Sequence, residues 1–433
     1  MPRMIRQNPD FHIRQLAAPT GMPDLPATPD QHFWHTDLVL AACAVFLSPV
    51  NYLRADFAYI TLGDVFAIMT LGLMFAQGRL PLHPFGRASA MWYISVLLLV
   101  SGLLTGSAMN GDLMAGLIVA GQYCFSLIAM PMLFLQRSRA EVLFLIKVFI
   151  FAMVAVMLHG AWYMQFAPDD HRFVTLSGRL ASLVERENAA GALTAIAITF
   201  SMWLYFIREI RLPILVLVLI PLVWGLLLTG SNTGFFLTGL GLLFLVLLSG
   251  ALRLLFGMIA IGSLLFIIIY QWGELFLPEI FIKRVFGALE SGDMGQAGTF
   301  SDRMYLIHEA YDLTRNTIFI GLGADQYRTT SAHGAPVHNT YLLLLAEGGV
   351  ISLLGHFGLM MAGVLIGWPM LIQRDMRWFG VLTLTTIIML ALVQNGLAHF
   401  YARFWAVPWF LALGACLHTP DDDNADTGAG AYP

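Results

Sequence analysis

Long apolar runs dominate this sequence and constrain its fold more than any other feature. Each is roughly long enough to cross a hydrocarbon core of about 30 Å as a helix that rises about 1.5 Å per residue. The runs lie near 38–53, 57–77, 88–106, 113–135, 140–163, 187–207, 212–229, 231–249, 252–271, 340–367, 377–396 and 401–418. A helix satisfies its backbone hydrogen bonds within one segment, as lipid requires. The sequence therefore predicts an all-α polytopic membrane protein with about twelve transmembrane helices.

Composition excludes the main alternatives to a membrane fold. Hydrophobic residues make up 58% of the chain and charged residues 12%, about half the charged share of an ordinary soluble domain. The net charge of −4 and the lack of a basic stripe argue against a nucleic-acid partner. Cys43, Cys124 and Cys416 lie inside predicted spans, so the loops hold no cysteine for a disulfide or a thiolate metal site.

Basic residues in the short loops fall almost entirely on one side of this arrangement, which identifies that side as cytoplasmic. Both termini are then cytoplasmic. The expected organisation is a disordered tail at 1–36, a membrane domain at 37–418 and an acidic disordered tail at 419–433. Two loops, 164–186 and 271–339, lie outside, and the larger one is expected to contain short helices.

Both outside loops hold arginine against this charge rule, which suggests an anionic ligand. The basic residues are Arg172, Arg179, Arg186, Lys283, Arg284, Arg303, Arg315 and Arg328. A guanidinium fork fits phosphate oxygens two at a time, so a diphosphate is the natural partner. The alternative is a solvated first loop that pairs internally through Glu185 and Glu187. Asp64, near the outer end of the second span, is expected to pair with one of these cations.

The segment His338-Asn339-Thr340-Tyr341-Leu342 places an imidazole where the large polar loop meets an apolar run. Histidine suits general-base catalysis near neutral pH. The alternative is an interfacial histidine with a structural role. Polar residues at the outer end of the next hairpin are expected to converge with it on one wet pocket. They are Asn395, His399, Tyr401 and Arg403.

Two further ionisable residues follow in the same run. Glu347 lies nine residues after His338, which in a straight helix puts it on the opposite face and about 13 Å deeper. We interpret it as a packing residue or a tether for a neighbouring helix, although a carboxylate in a span is also a functional candidate. His356 would lie about 27 Å from His338, near the cytoplasmic boundary.

The large loop also predicts local structure. Residues 300–315 have helical periodicity, which predicts an amphipathic helix on the outer membrane surface. The glycine-rich stretch 286–299 is interpreted as a mobile lid.

The large loop holds no recognised metal or nucleotide motif. His333, His338 and Asp325 match no recognised ligand spacing, so no metal site is expected. Gly321-Leu322-Gly323 lacks the strand and helix of a nucleotide loop.

Together these motifs resemble the O-antigen ligase and polysaccharide polymerase superfamily of bacterial inner-membrane glycosyltransferases. The matching residues are Gly178-Arg179-Leu180 with Asn188, Thr229-Gly230-Ser231, Arg303, Ile320-Gly321-Leu322-Gly323, and His338 to Leu342 with Glu347 and Gly349. The chain departs from the family at Asn232, where arginine is usual. Arg186, Arg284 and Arg403 are available as substitutes.

The resemblance implies transfer of a glycan from a polyprenyl-diphosphate carrier to an acceptor hydroxyl, at the periplasmic face and without cofactor or metal. It implies His338, Arg179 and Arg303 as catalytic residues. Substrate contacts are expected from Arg186, Asn188, Asn232, Arg284, Asn339, Tyr341 and Arg403. The implied partners are the lipid-linked donor, a glycan or lipid A core acceptor, the bilayer and other polysaccharide assembly proteins.

Within this family a polymerase of exopolysaccharide or O-antigen repeat units is the first hypothesis and a ligase onto lipid A core is the second. The sequence does not separate them, because both would use the same residues. A transporter of about twelve spans is an alternative of another class, disfavoured by the scarcity of charge inside the spans. A structural scaffold for polysaccharide export is a further alternative.

Overall fold

The computed structural model describes residues 35–55, 59–282, 284 and 300–419. The predicted tails, apart from residues 35, 36 and 419, and the predicted lid lie outside this described part of the chain. From Thr36 onward the described residues belong to one structural unit.

Helices make up most of this unit. In chain order the α-helices are α1 (Thr36–Leu47), α2 (Leu62–Ala76), α3 (Ser89–Met109), α4 (Leu113–Cys124), α5 (Met130–Phe134), α6 (Arg139–Phe166), α7 (Glu187–Phe206), α8 (Leu212–Thr229), α9 (Asn232–Ser249), α10 (Leu252–Phe276), α11 (Glu279–Phe281), α12 (Phe300–Thr317), α13 (Tyr327–Thr330), α14 (Thr340–Met370), α15 (Arg377–Val393) and α16 (Arg403–Cys416). A π-helical turn, Phe125–Ala129, joins α4 to α5. Strands β1 (Arg54–Ala55) and β2 (Ile60–Thr61) pair antiparallel, with Arg54 opposite Thr61.

Every predicted apolar run overlaps one of these helices, so the helical membrane fold is confirmed. Nine helical segments of the described chain are long and apolar enough to cross a membrane. The other three apolar helices, α1, α2 and α16, have 12, 15 and 14 residues, fewer than the about 20 that a perpendicular span needs. The predicted count of twelve spans is therefore not confirmed.

Helix α14 is broken at Gly349, and its two halves fold back on each other. Gly349 has φ 68° and ψ −172°, a backbone conformation open essentially to glycine alone. In a straight helix Tyr341 and His356 would lie about 22 Å apart along the axis. Their ring centroids are 5.7 Å apart, and the Tyr341 ring also stacks on Phe357 at 5.6 Å.

Contacts with α3 give the direction of each half. The Glu347 carbonyl oxygen lies against Gly106 near the end of α3, 2.7 Å from where a Cβ at that glycine would be. Gly358 lies against Ser95 near the start of α3. The half that contains Glu347 therefore runs from the level of Tyr341 toward the end of α3. The expectation that Glu347 lies about 13 Å deeper than His338 is therefore wrong. The expectation that His356 lies about 27 Å from His338 is also wrong. Both assumed a straight helix.

Helix α12 confirms the predicted helical segment at 300–315. Its buried residues Leu306 and Ala310 pack with Val337, Leu343 and Ala346 in a small core of their own. The helix therefore lies against the first half of α14, a contact that the predicted placement on the membrane surface did not include. Tyr311 on this helix is 59% exposed.

Candidate active site

His338 is held in place by the residues that follow it. Asn339 caps α14, because its Oδ1 accepts the Leu342 N–H at 3.1 Å, and its Nδ2 donates to Asn395 Oδ1 at 3.4 Å. The Thr340 hydroxyl donates to the Leu397 carbonyl at 3.0 Å. These bonds fix the start of α14 against the segment that follows α15.

The His338 imidazole is half-buried and surrounded by positive charge. Burial lowers the pKa of His338 below its usual value, and the charges of Arg303 and Arg186 lower it further, against an opposing effect of the Pro336 carbonyl. Its Nδ1 is buried and has no hydrogen-bond partner among the described residues. At neutral pH the ring is therefore uncharged and able to accept a proton.

His399 is within electrostatic reach of His338, Arg186 and Arg328. Burial, then the charges of Arg186, Arg328 and His338, lower the pKa of His399 to about 4. Its ring packs against Tyr401, with centroids 5.3 Å apart. The segment after α15 therefore brings a second neutral imidazole to this region.

Arg186 and Arg303 are the two cations that act on His338. Within the described ranges neither guanidinium has an ion-pair or hydrogen-bond partner. Arg186, at the N-cap of α7, is exposed, and Arg303, near the start of α12, is half-buried. The charge of Arg303 also lowers the pKa of Arg179. Arg303 is thus within electrostatic reach of both the histidine and the first loop.

Arg179 has a different environment, since its side chain is buried and hydrogen-bonded to protein. Its Nη1 donates to Glu187 Oε1 at 2.6 Å and its Nη2 to Asn188 Oδ1 at 2.8 Å. Its Nε donates to the Thr229 carbonyl at 2.8 Å. Burial lowers the pKa of Arg179 to about 10 despite the opposing charge of Glu187. Arg179 therefore ties the first loop to the turn between α8 and α9.

That turn positions three other predicted site residues. Gly230 ends α8 with φ 52°, and its carbonyl accepts from Arg284 Nε at 3.1 Å. Burial and the charge of Arg303 lower the pKa of Arg284, while Glu187 opposes them. The Ser231 hydroxyl caps α9 and donates to Asn188 Oδ1 at 3.2 Å. Asn232, the first residue of α9, follows directly.

Arg403 and Tyr341 are engaged inside the helix bundle. Arg403 is buried, and its Nε donates to Asp64 Oδ1 at 2.9 Å while Nη1 donates to Gln122. Asp64 therefore pairs with Arg403 and not, as expected, with a loop arginine, because the two short helices α2 and α16 bring them together. The Tyr341 hydroxyl donates to the Ala391 carbonyl at 2.8 Å.

The segment 318–323 supports the break in α14, a role that the sequence did not reveal. The N–H groups of Leu322 and Gly323 donate to the carbonyls of Ala346 and Glu347, both at 2.9 Å. The Val350 N–H donates to the Ile318 carbonyl at 2.7 Å. A Cβ at Gly321 would lie 2.1 Å from the Glu347 carbonyl oxygen. Glycine at 321 is required for this close approach, and the Gly348-Gly349 pair was the available signal.

Glu347 is a tether for the large loop, as its packing interpretation anticipated. Its carboxylate accepts the backbone N–H of Tyr327 at 3.1 Å, at the start of α13. No cluster of three or more His, Cys, Asp or Glu side chains within the described part of the chain could hold a metal ion.

Fold and site together define a multi-pass helical membrane protein whose polar loops gather histidine and arginine at one end of the bundle. Residues 217–357 match a family described as O-antigen ligase. This match supports the resemblance of the chain to the O-antigen ligase and polysaccharide polymerase superfamily. It includes His338, Arg303, Arg284 and Asn232, whereas Arg179 and Arg186 precede it. No curated protein matches the chain.

Proposed function

We propose that this protein transfers a glycan from a polyprenyl-diphosphate carrier to an acceptor sugar hydroxyl. The match of residues 217–357 to the O-antigen ligase family supports glycosyl transfer in polysaccharide assembly. One observation carries the finer proposal: the uncharged His338 lies in the field of Arg303 and Arg186, which have no carboxylate partner within the described ranges. A base and two arginines without a carboxylate partner among the described residues suit a reaction that removes a proton and adds negative charge to a departing diphosphate.

In the proposed reaction His338 removes the proton of the acceptor hydroxyl. The acceptor oxygen then attacks the anomeric carbon of the donor, and the bond between that carbon and the diphosphate oxygen breaks. The electron pair leaves with the polyprenyl diphosphate. Because the acceptor attacks from the face opposite the leaving group in a single displacement, the anomeric configuration inverts. A general base of this kind contributes typically about 10²- to 10⁴-fold to rate.

Arg303 and Arg186 are proposed to stabilise the charge that develops on the leaving diphosphate. Arg186 then takes the place of the family arginine that Asn232 replaces. Of the other two candidates, Arg403 is paired with Asp64 in the bundle and Arg284 is bound to the Gly230 carbonyl.

A direct diphosphate contact by Arg179 stays a prediction. Its burial and its hydrogen bonds favour a positioning role instead, in which it holds the Thr229-Gly230 turn beside Arg284. Direct substrate contacts by Asn188, Asn232, Asn339 and Tyr341 also stay predictions.

The proposed setting is the bacterial inner membrane, with both termini cytoplasmic and the site in the periplasm. The basic residues of the short loops support this orientation. Polymerisation of repeat units is the activity that we propose, and ligation onto lipid A core is the second candidate, favoured by the description of the matching family.

Transfer is tested by incubating the purified protein with a defined polyprenyl-diphosphate glycan and an acceptor glycan. We expect polyprenyl diphosphate and an extended acceptor as products, whereas hydrolysis alone or no reaction would contradict the proposal. Deletion in the host separates the two candidates. Accumulation of single lipid-linked repeats indicates a polymerase, and accumulation of long lipid-linked chains indicates a ligase.

A further inference from the structure

Helix α12 carries a cavity that the proposed reaction does not use. Its volume is about 330 Å³, and it is lined by Tyr305, His308, Glu309, Asp312 and Leu313. All five residues lie within three turns of one helix.

The cavity lies on the side of α12 away from the candidate active site. At about 100° per residue, Tyr305 and Asp312 point about 200° and about 180° from Arg303 around the helix axis. Leu306 and Ala310, nearer to the direction of Arg303, pack against Val337 beside His338. A helix with its side chains is about 10–12 Å across, so a group in the cavity is not the group that reacts at His338.

An aromatic ring forms one wall of this cavity. The Tyr305 side chain is 50% exposed, and the ring of His333 supports it at 4.5 Å between centroids. Half of the tyrosine side chain therefore stays accessible to a ligand. Exposed tyrosine supplies a rigid apolar surface and a polar tip.

Hydrogen-bonding groups form the other walls. The Glu309 carboxylate is fixed by the Ser331 hydroxyl at 2.7 Å, the Ala332 N–H at 2.8 Å and the Tyr327 hydroxyl at 3.2 Å. Burial raises the pKa of Glu309, but these bonds outweigh it and lower the pKa overall, so the group is ionised. Among the residues that the structure describes, Asp312 pairs only with Arg315, in an exposed pair at 3.7 Å, and such a pair competes weakly with a ligand.

An apolar ring beside carboxylate and imidazole groups matches a pyranose, which has an apolar face and a rim of hydroxyl groups. We infer that this cavity binds a neutral or amino sugar ring of a glycan whose reacting end lies at His338. The inference rests on the proposed function. Two carboxylates in the walls disfavour acidic sugars through charge repulsion. The cavity would then grip a sugar distant from the bond being formed, so longer glycans bind more tightly.

The test measures binding of oligosaccharides to the full-length His338→Ala protein in detergent, a background in which turnover does not consume the probe. The probes are oligosaccharides of increasing length, released by mild acid from the lipid-linked glycan of the host. Tyr305→Ala is expected to weaken binding of the longer probes about tenfold, an effect of the size of one aromatic contact. Asp312→Asn is expected to weaken the same probes.

Two controls separate the ring from the rest of the helix. Tyr311 is also exposed on α12 but does not line the cavity, so Tyr311→Ala should bind every probe as the His338→Ala protein does. Tyr305→Phe keeps the ring and should also bind normally. Folding of each variant is checked by its melting temperature.

Equal Kd values for Tyr305→Ala and Tyr311→Ala would overturn the sugar site, as would preferential binding of uronate probes. Absence of binding by the His338→Ala protein itself would overturn it too. Failure of the proposed function is separate, because it appears as absence of glycan transfer by the unaltered protein.

Discussion

The rings of Tyr341 and His356 lie 5.7 Å apart although fifteen residues separate them in the sequence. This contact exists because α14 folds back at Gly349. The fold-back places the half of α14 that follows His338 between α3 and the large loop, where Glu347 binds α13 and the segment 318–323 bonds to the break. The position of the candidate base thus depends on a bend eleven residues further along the chain.

Gly349→Ala should destabilise the protein. The backbone conformation at 349 costs an L-residue about 1–3 kcal/mol, and the new Cβ would lie 2.6 Å from the Phe319 carbonyl oxygen. A lower melting temperature in detergent is the expected result. Gly239→Ala in α9 is the control, because nothing lies within 4 Å of a Cβ there. Equal melting of both variants would contradict the required bend.

The pH dependence of transfer should report His338. Burial and the charges of Arg303 and Arg186 lower the pKa of this ring, so the basic form is present at neutral pH and is lost as pH falls through that lowered pKa. Removal of a neighbouring positive charge favours the imidazolium, so Arg303→Gln should move the acid limb of kcat/KM to higher pH. Arg315→Gln, on the same helix, is the control and should leave the midpoint unchanged. An unchanged midpoint in Arg303→Gln would show that the charge of Arg303 does not lower the pKa of His338.

Arg179 and Arg303 should respond differently to truncation. Arg179→Ala removes the hydrogen-bond partner of Glu187, Asn188 and the Thr229 carbonyl, so it should lower the free energy of unfolding by about 1–3 kcal/mol. Arg303→Ala removes no hydrogen bond or ion pair to the described residues, so its stability should change by less than about 0.5 kcal/mol. Thermal unfolding beside transfer rates checks this. A melting loss in Arg303→Ala as large as that in Arg179→Ala would contradict the division of roles.

Variants of Arg186 and Arg403 test which arginine takes over the role of the family arginine, whose position is occupied by Asn232 in this chain. Arg186→Gln should raise the KM for the diphosphate donor about tenfold, the effect of one charged hydrogen bond of about 1.5 kcal/mol. Its melting temperature should not change, because the side chain is exposed. Arg403→Gln should instead lower stability, since it leaves Asp64 unpaired in the bundle. Normal donor KM in Arg186→Gln would exclude it as the substitute.

The sequence was a good guide to the helices because hydropathy acts locally. It could not show the fold-back of α14, since the apolar run continues through Gly348-Gly349 and a helix tolerates glycine. The φ of 68° at Gly349 arises from bonds to residues 318–323, which are distant in sequence. The sequence could not show the hydrogen-bond partners of the arginines either, because those partners are also distant in sequence. In the sequence, Arg403 and Asp64 are simply charged residues near the ends of apolar runs. Only the packing of α2 and α16 brings them together.

The most direct test of the central claim is the transfer rate of purified His338→Ala protein with a defined polyprenyl-diphosphate glycan. Loss of the general base should lower kcat by about 10²- to 10⁴-fold while melting temperature and donor binding stay close to those of the unaltered protein. Near-normal kcat in a stably folded His338→Ala protein would contradict the proposed role of this residue.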